Sequence, residues 1–166
     1  MDPFVKGFIR ASLIWLGVGV TIGVSMAFWP SAALVYRPAH MHANLLGFVS
    51  MMIFGVAYHV MPRFTGNPLH SRSEASGHLW IANLGLLFMV GGWIARVWAP
   101  EIGTIGVRAG AAGSAVGAFL FIHNLWCTLG PLRPASAARN TASVAGGMQP
   151  TPRVWPLTGN PSSGTK

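Results

Sequence analysis

Four runs of apolar residues dominate the sequence, and each is long enough to cross a lipid bilayer. They cover residues 11–29, 41–61, 79–95 and 109–129. A helix of about 17 to 21 residues, rising 1.5 Å per residue, crosses a hydrocarbon core about 30 Å thick. We therefore predict an all-α fold, an integral membrane four-helix bundle in contact with membrane lipid.

Charged residues are scarce, which limits the chemistry available to the chain. Only 8% of the residues are charged, whereas soluble domains average about a quarter. Asp2, Glu74 and Glu101 are the only acidic residues. The chain therefore has few groups for catalysis by paired carboxylates or for proton relays through acids. The sequence also contains no phosphate-binding glycine loop and no catalytic triad.

The net charge of +8 is explained by membrane topology rather than by nucleic-acid binding. Basic residues flank the two ends of the spans unequally. On one side lie Lys6, Arg10, Arg63, Arg72, Arg133 and Arg139, and on the other lie Arg37, Arg96 and Arg108. By the positive-inside rule, both termini and the loop between spans two and three are cytoplasmic. We predict no nucleic-acid partner.

The chain divides by composition into two parts. Residues 1–130 form the predicted bundle, with short outer loops at residues 30–40 and 100–108, and with Ser71 or Ser73 capping the third span. Residues 131–166 contain six prolines with Gly, Ser and Thr. Such a tail is predicted to be extended unless a partner orders it, with Arg153 and Trp155 as anchors.

Four glycines in and just before the last run share one helix face. They are Gly106, Gly110, Gly113 and Gly117, which fall within an arc of about 60° at 100° per residue. A face without side chains lets helices approach closely in lipid, and Gly19 and Gly23 could supply the matching surface. The alternative is that a flat macrocycle lies against these glycines.

The histidines fall into two groups at different depths. His40 and His42 begin the second span at the outer side. The remaining four lie toward the inner side: His59, His70, His78 and His123. A single ligand cannot contact both groups. Residues two apart in sequence point about 200° apart around a helix. His40 and His42 therefore cannot both face one site unless His40 is still in the loop.

The second span resembles a known family. The segment HANLLGFVSMMIFGVAYHVMP is similar to the second transmembrane helix of the catalytic subunit of haem-copper oxidases, especially nitric oxide reductase and cbb-type oxidases. The paired His-x-His start and the following PRFTGNPL also resemble the NnrS family of haem- and copper-containing membrane proteins. The similarity extends over residues 38–80.

The resemblance implies that His42 is an axial ligand of a haem b. The chain looks like a short four-span relative of the superfamily in the bacterial inner membrane, and we expect it to lack the oxygen- or NO-reducing centre. The implied function is electron transfer within a larger membrane complex or a homo-oligomer. The alternative is a non-redox subunit with a gas-responsive, assembly or structural role.

A low-spin haem normally has two axial ligands. The candidates for the second one are Met26, His40, or a histidine of another protomer or subunit. Arg37, Arg96 and Arg108 lie on the same side, where they would pair with haem propionates or anchor the helices at the interface.

The inner group offers other sites. His78 and His123 lie at similar depth and could hold a second haem, or His59, His78 and His123 could hold copper or zinc. Alternatively they line the interface and bond to neighbouring helices. The single cysteine, Cys127, predicts no intramolecular disulfide and no Cys-based metal cluster built by one chain.

Overall fold

The computed structural model describes residues 1–131, among which every regular element is a helix. In chain order the elements are α1 (Pro3–Phe28), α2 (Pro30–His42), the π-helix π1 (Ala43–Ser50), α3 (Met51–Thr65), α4 (Arg72–Ala95) and α5 (Pro100–Thr128). Apart from Pro131, the predicted tail at residues 131–166 lies outside the described residues.

The prediction of four membrane-spanning helices is confirmed. Four helices of the described part are long and apolar enough to cross a bilayer, and they are Pro3–Phe28, Ala33–Thr65, Arg72–Ala95 and Pro100–Thr128. The second of these is continuous through α2, π1 and α3. The chain is therefore a multi-pass membrane protein, while the cytoplasmic placement of its termini stays a prediction.

The helices extend further than the apolar runs, so the predicted outer loops at residues 30–40 and 100–108 were wrong. Pro30 and Pro100 occupy the first turns of α2 and α5. Proline is favourable there because the first helical position needs no N–H donor and its φ is already helical. Only residues 96–99 separate α4 from α5.

The turn between α3 and α4 follows its local sequence. Gly66 ends α3 with a φ of 69°, in the left-handed region that glycine adopts without steric cost. The side chain of Ser71 accepts a hydrogen bond of 3.1 Å from the backbone N–H of Glu74, which makes Ser71 the cap of α4. Ser73 lies inside the helix.

The π-helix was not predicted, and it starts directly after His42. Within it, the side-chain amide of Asn44 donates to the backbone carbonyl of His40 at 2.9 Å. This carbonyl is the ordinary α-helical acceptor for the backbone N–H of Asn44, so the side chain competes with the main chain for it. The competition favours the wider π-turns, which are often found beside functional sites.

The glycine face of α5 packs against α4. A Cβ atom added to Gly92 of α4 would lie 2.5 Å from the backbone nitrogen of Val107, and one added to Gly110 of α5 would overlap the backbone of Met89. The two helices thus meet backbone to backbone. The expectation that α1 supplies the matching surface, and the alternative of a macrocycle on these glycines, were both wrong because α4 occupies the face.

The first helix packs over the second span and α4 through buried aromatic side chains. Phe8 is fully buried, and Trp15 is 8% exposed. The indole N–H of Trp15 donates to the Asn83 side-chain oxygen of α4 at 3.1 Å. This bond satisfies a polar group inside the apolar packing and fixes α1 against α4.

We predict that Gly110→Ala destabilises the bundle by about 1–3 kcal/mol, because the methyl group must push the α4 backbone away. Gly91→Ala, on the same helix pair, is the matched control, since a Cβ there meets nothing within 4 Å. It should change stability by less than about 1 kcal/mol, in the stabilising direction. Unfolding by SDS in mixed micelles, followed by circular dichroism, measures both, and equal stabilities would contradict the backbone contact.

Candidate functional site

His42 ends α2 with its imidazole held in a defined orientation. Its Nδ1 lies 2.7 Å from the backbone carbonyl oxygen of Pro38. Because a carbonyl can only accept, Nδ1 carries the proton and donates, which leaves the lone pair on Nε2. Within residues 1–131 no hydrogen bond to that Nε2 is found. This is the arrangement in which histidine is ready to bind a metal through Nε2.

Trp93 and Arg96 of α4 lie beside His42. The rings of His42 and Trp93 are nearly parallel, at 21°, with centroids 6.4 Å apart. The Arg96 guanidinium carbon lies 4.8 Å from the Trp93 ring centroid, a cation–π contact. The Trp93 indole nitrogen is buried without a hydrogen-bond partner in the described part of the chain. An aligned imidazole, a cation and an unpartnered donor thus meet in one place.

His40 faces a different helix. Its Nδ1 lies 2.8 Å from the carbonyl oxygen of Gly19 on α1, and a Cβ at Gly23 would lie 2.8 Å from its Cε1. His40 is part of α2 rather than of a loop, so it points away from His42, as their 200° separation predicts. The two imidazoles do not converge on one site.

Among the described hydrogen bonds and ring contacts, none joins Met26, Arg37 or Arg108 to His42. Met26 lies three residues after Gly23, hence on the α1 face that contacts His40. Arg37 and Arg108 are exposed, and Arg108 shares a surface groove with Glu101. Of the three predicted arginines, the described contacts connect only Arg96 to His42, through Trp93.

His78 lies in a closed aromatic cage. It is completely buried, its Nδ1 is 3.0 Å from the hydroxyl oxygen of Tyr58, and its Nε2 has no partner among the described residues. Ring centroids of Phe8, Phe54 and Phe121 lie 4.8, 4.7 and 5.8 Å from its own. A Tyr58 hydroxyl that donates to Nδ1 leaves the proton of the neutral imidazole on Nε2.

This enclosure bears on the prediction that His78 binds a haem or a metal ion. An axial ligand must present its nitrogen to a space that holds a flat macrocycle, and four aromatic rings already fill the surroundings of His78. His78 therefore fits a role in core packing.

The predicted trio His59, His78 and His123 does not share one site. The Nδ1 of His59 lies 3.1 Å from the Arg63 guanidinium. His123 is exposed, and its Nδ1 lies 2.8 Å from a carboxylate oxygen of Glu74. Glu74 lies on α4, one helical turn before His78. The three imidazoles thus have separate surroundings.

Two residues outside the predicted set do join His123. His70 packs its ring at 5.6 Å and 89° to that of His123, and the Cys127 sulfur lies 3.7 Å from His123 Nε2. That one chain with a single cysteine builds no Cys-based metal cluster stays a prediction, but one thiol can act together with imidazoles. The four-residue spacing of His123 and Cys127 on one helix is the signal that was available.

Comparison with known proteins relates this multi-pass chain to haem-copper oxidases. It is 31% identical over 106 residues to the cbb3-type cytochrome c oxidase subunit CcoN1 of Stutzerimonas stutzeri. The matched segment covers 61% of this chain and 21% of that protein. It is 26% identical over 102 residues to a cytochrome c oxidase subunit 1 homolog of Agrobacterium tumefaciens (strain T37), which covers 58% and 19%.

The chain spans about a fifth of the length of these two relatives. No family model matches it, and no solved structure matches it. The two matches support the relationship to haem-copper oxidases that the second span indicates.

We predict that Tyr58→Phe destabilises the protein by about 1–3 kcal/mol, because it leaves the buried His78 imidazole without its hydrogen bond. Replacing both partners, in the Tyr58→Phe, His78→Phe double variant, should recover most of this loss. The same unfolding assay in micelles measures the three proteins. A double variant no more stable than Tyr58→Phe alone would contradict a purely structural role for the pair.

Proposed function

We propose that this chain is a membrane-embedded b-type haem protein that passes electrons within a larger membrane complex or a homo-oligomer. The observation that carries the proposal is the His42 imidazole, which is fixed through Nδ1 and whose Nε2 has no hydrogen-bond partner among residues 1–131. The matches to two cytochrome c oxidase subunits support it from an independent direction. The proposed location is the bacterial inner membrane.

The residues around His42 fit a haem in their chemistry. Neutral imidazole is a common axial ligand of haem iron. The Pro38 carbonyl accepts a hydrogen bond from Nδ1, which orients the ring and makes Nε2 a stronger ligand for a metal. Haem b, when bound, supplies a one-electron iron couple. The Arg96 guanidinium would pair with a propionate through charge-assisted hydrogen bonds, and the flat Trp93 indole would pack near the ligand.

The membrane-facing side of this site is open. Leu45 and Val49, in the π-helix that begins directly after His42, are 55% and 40% exposed. An apolar macrocycle edge or a neighbouring helix can cover this face. Since His40 and Met26 lie on the α1 side, we propose that a second axial ligand comes from another copy or subunit.

A second candidate function is a non-redox one, in gas response, assembly or structural support. It is favoured by the direction of His40, which faces α1 and leaves His42 as the one described histidine at the proposed haem site. A haem with one protein ligand keeps a coordination position open for a gas such as CO or NO, whereas two protein ligands suit electron transfer.

We predict that the protein, purified from haem-sufficient membranes, shows a b-type Soret band and a sharp α band after reduction with dithionite. His42→Ala should lose most of the bound haem, measured as pyridine haemochromogen per chain, because it removes the proposed iron ligand. His59→Ala is the matched control, since His59 lies on the same span and pairs only with Arg63 in the described contacts. It should retain the wild-type haem content.

Two results would count against the proposal. Absence of haem from the wild-type protein would exclude it, and an unchanged spectrum in His42→Ala would exclude His42 as the ligand. Rapid CO binding by the reduced wild-type protein would favour the gas-responsive function, whereas a low-spin spectrum insensitive to CO would favour electron transfer.

A further inference from the structure

We propose that His70, His123 and Cys127 form a binding site for one transition-metal ion at the end of the bundle opposite His42. The Nδ1 or Nε2 atoms of the two histidines and the sulfur of Cys127 all lie within 4.8 Å of one another. The site is separate from the proposed haem and does not depend on it. Its ligand class is an ion that prefers imidazole and thiolate, namely Zn²⁺ or Cu⁺.

The imidazole of His123 is prepared for metal binding by Glu74. The Glu74 carboxylate is mostly buried, with 15% of its side chain exposed, and lies 2.8 Å from His123 Nδ1. Because the carboxylate can only accept, Nδ1 donates to it and Nε2 keeps its lone pair. That Nε2 is the atom that faces the Cys127 sulfur. A carboxylate that orients a histidine in this way is the usual outer partner of a metal-bound imidazole.

The separation of the two donor atoms suits a tetrahedral ion. Zinc bonds of about 2.3 Å to sulfur and 2.0–2.1 Å to nitrogen, at the tetrahedral angle, separate the donors by roughly 3.5 Å. The observed distance from His123 Nε2 to Cys127 Sγ is 3.7 Å. Without a metal ion this contact is a weak thiol–imidazole hydrogen bond.

The main chain that carries His70 is held against α5 by buried side chains. The backbone N–H of His70 donates to the Thr128 hydroxyl at 3.0 Å. Asn124 donates to the Ser71 carbonyl at 2.7 Å and accepts from the Ser71 N–H at 3.2 Å. Thr128 and Asn124 are 1% and 0% exposed. The main chain of His70, the third ligand, is therefore attached to the same rigid unit as the other two ligands. Only the exposed side chain of His70 must rotate to bring its nitrogen to the metal ion.

The charges of the group also suit a divalent ion. On metal binding the Cys127 thiol releases its proton to solvent and becomes a thiolate. Together with the Glu74 carboxylate it balances the two positive charges of Zn²⁺. Three protein ligands leave a fourth position for water or for a ligand from another molecule.

The test measures binding of the metal alone. The protein, with any affinity tag removed, is stripped with a chelator and titrated with Zn²⁺, with Co²⁺ as a spectroscopic substitute, and in a separate anaerobic series with Cu⁺. We expect one ion per chain by mass spectrometry and a sulfur-to-cobalt charge-transfer band. Cys127→Ser should abolish that band, and His123→Gln should reduce affinity at least 100-fold.

Glu74→Gln tests the positioning role separately, because it keeps all three ligands. It should weaken Zn²⁺ binding about 10- to 100-fold while the cobalt–sulfur band remains at saturation. His59→Gln, at the same end of the bundle but outside the group, is the matched control and should bind like wild type. Circular dichroism of every variant checks that the helices are retained.

Wild-type protein that loses all Zn²⁺ and Cu⁺ to a weak chelator would overturn the proposal. So would equal affinities in wild type, Cys127→Ser and His123→Gln. Because zinc and copper are counted separately from iron, failure here is distinguishable from failure of the haem proposal. Tighter binding of one ion than the other identifies which of the two the site takes.

Discussion

Hydrocarbon provides no hydrogen-bond partners, and this constraint determines how the polar side chains of the bundle are arranged. Trp15 is satisfied by Asn83 across two helices, and His78 by Tyr58. His42 and His40 each bond a backbone carbonyl through Nδ1. Among residues 1–131 the buried nitrogens His78 Nε2 and Trp93 Nε1 lack a partner, and the second of these lies beside the residue that resembles a haem ligand.

The number and approximate positions of the spans could be predicted from the sequence, because hydropathy over about 20 residues is a strong signal. Their ends could not. Pro30 and Pro100 look like loop residues, yet they start helices. The π-helix after His42 also escaped prediction, since it depends on the competition of the Asn44 side chain for one carbonyl, and residues of the same types form ordinary α-helices elsewhere.

For the site, sequence indicated where along its span each histidine lies but not its direction. Depth follows from position along a span, whereas direction depends on how the helices rotate against one another. His78 and His123 lie on neighbouring helices toward one end of the bundle, but one points into an aromatic cage and the other to Glu74. The approach of His70 to His123 depends on the loop before α4, whose path is set by hydrogen bonds to Asn124 and Thr128.

The glycine contact between α4 and α5 has a consequence for biogenesis. The two helices are joined by residues 96–99 alone, so their contact closes a very short loop at little entropic cost. A helical hairpin with this local contact can leave the translocon as a preassembled pair.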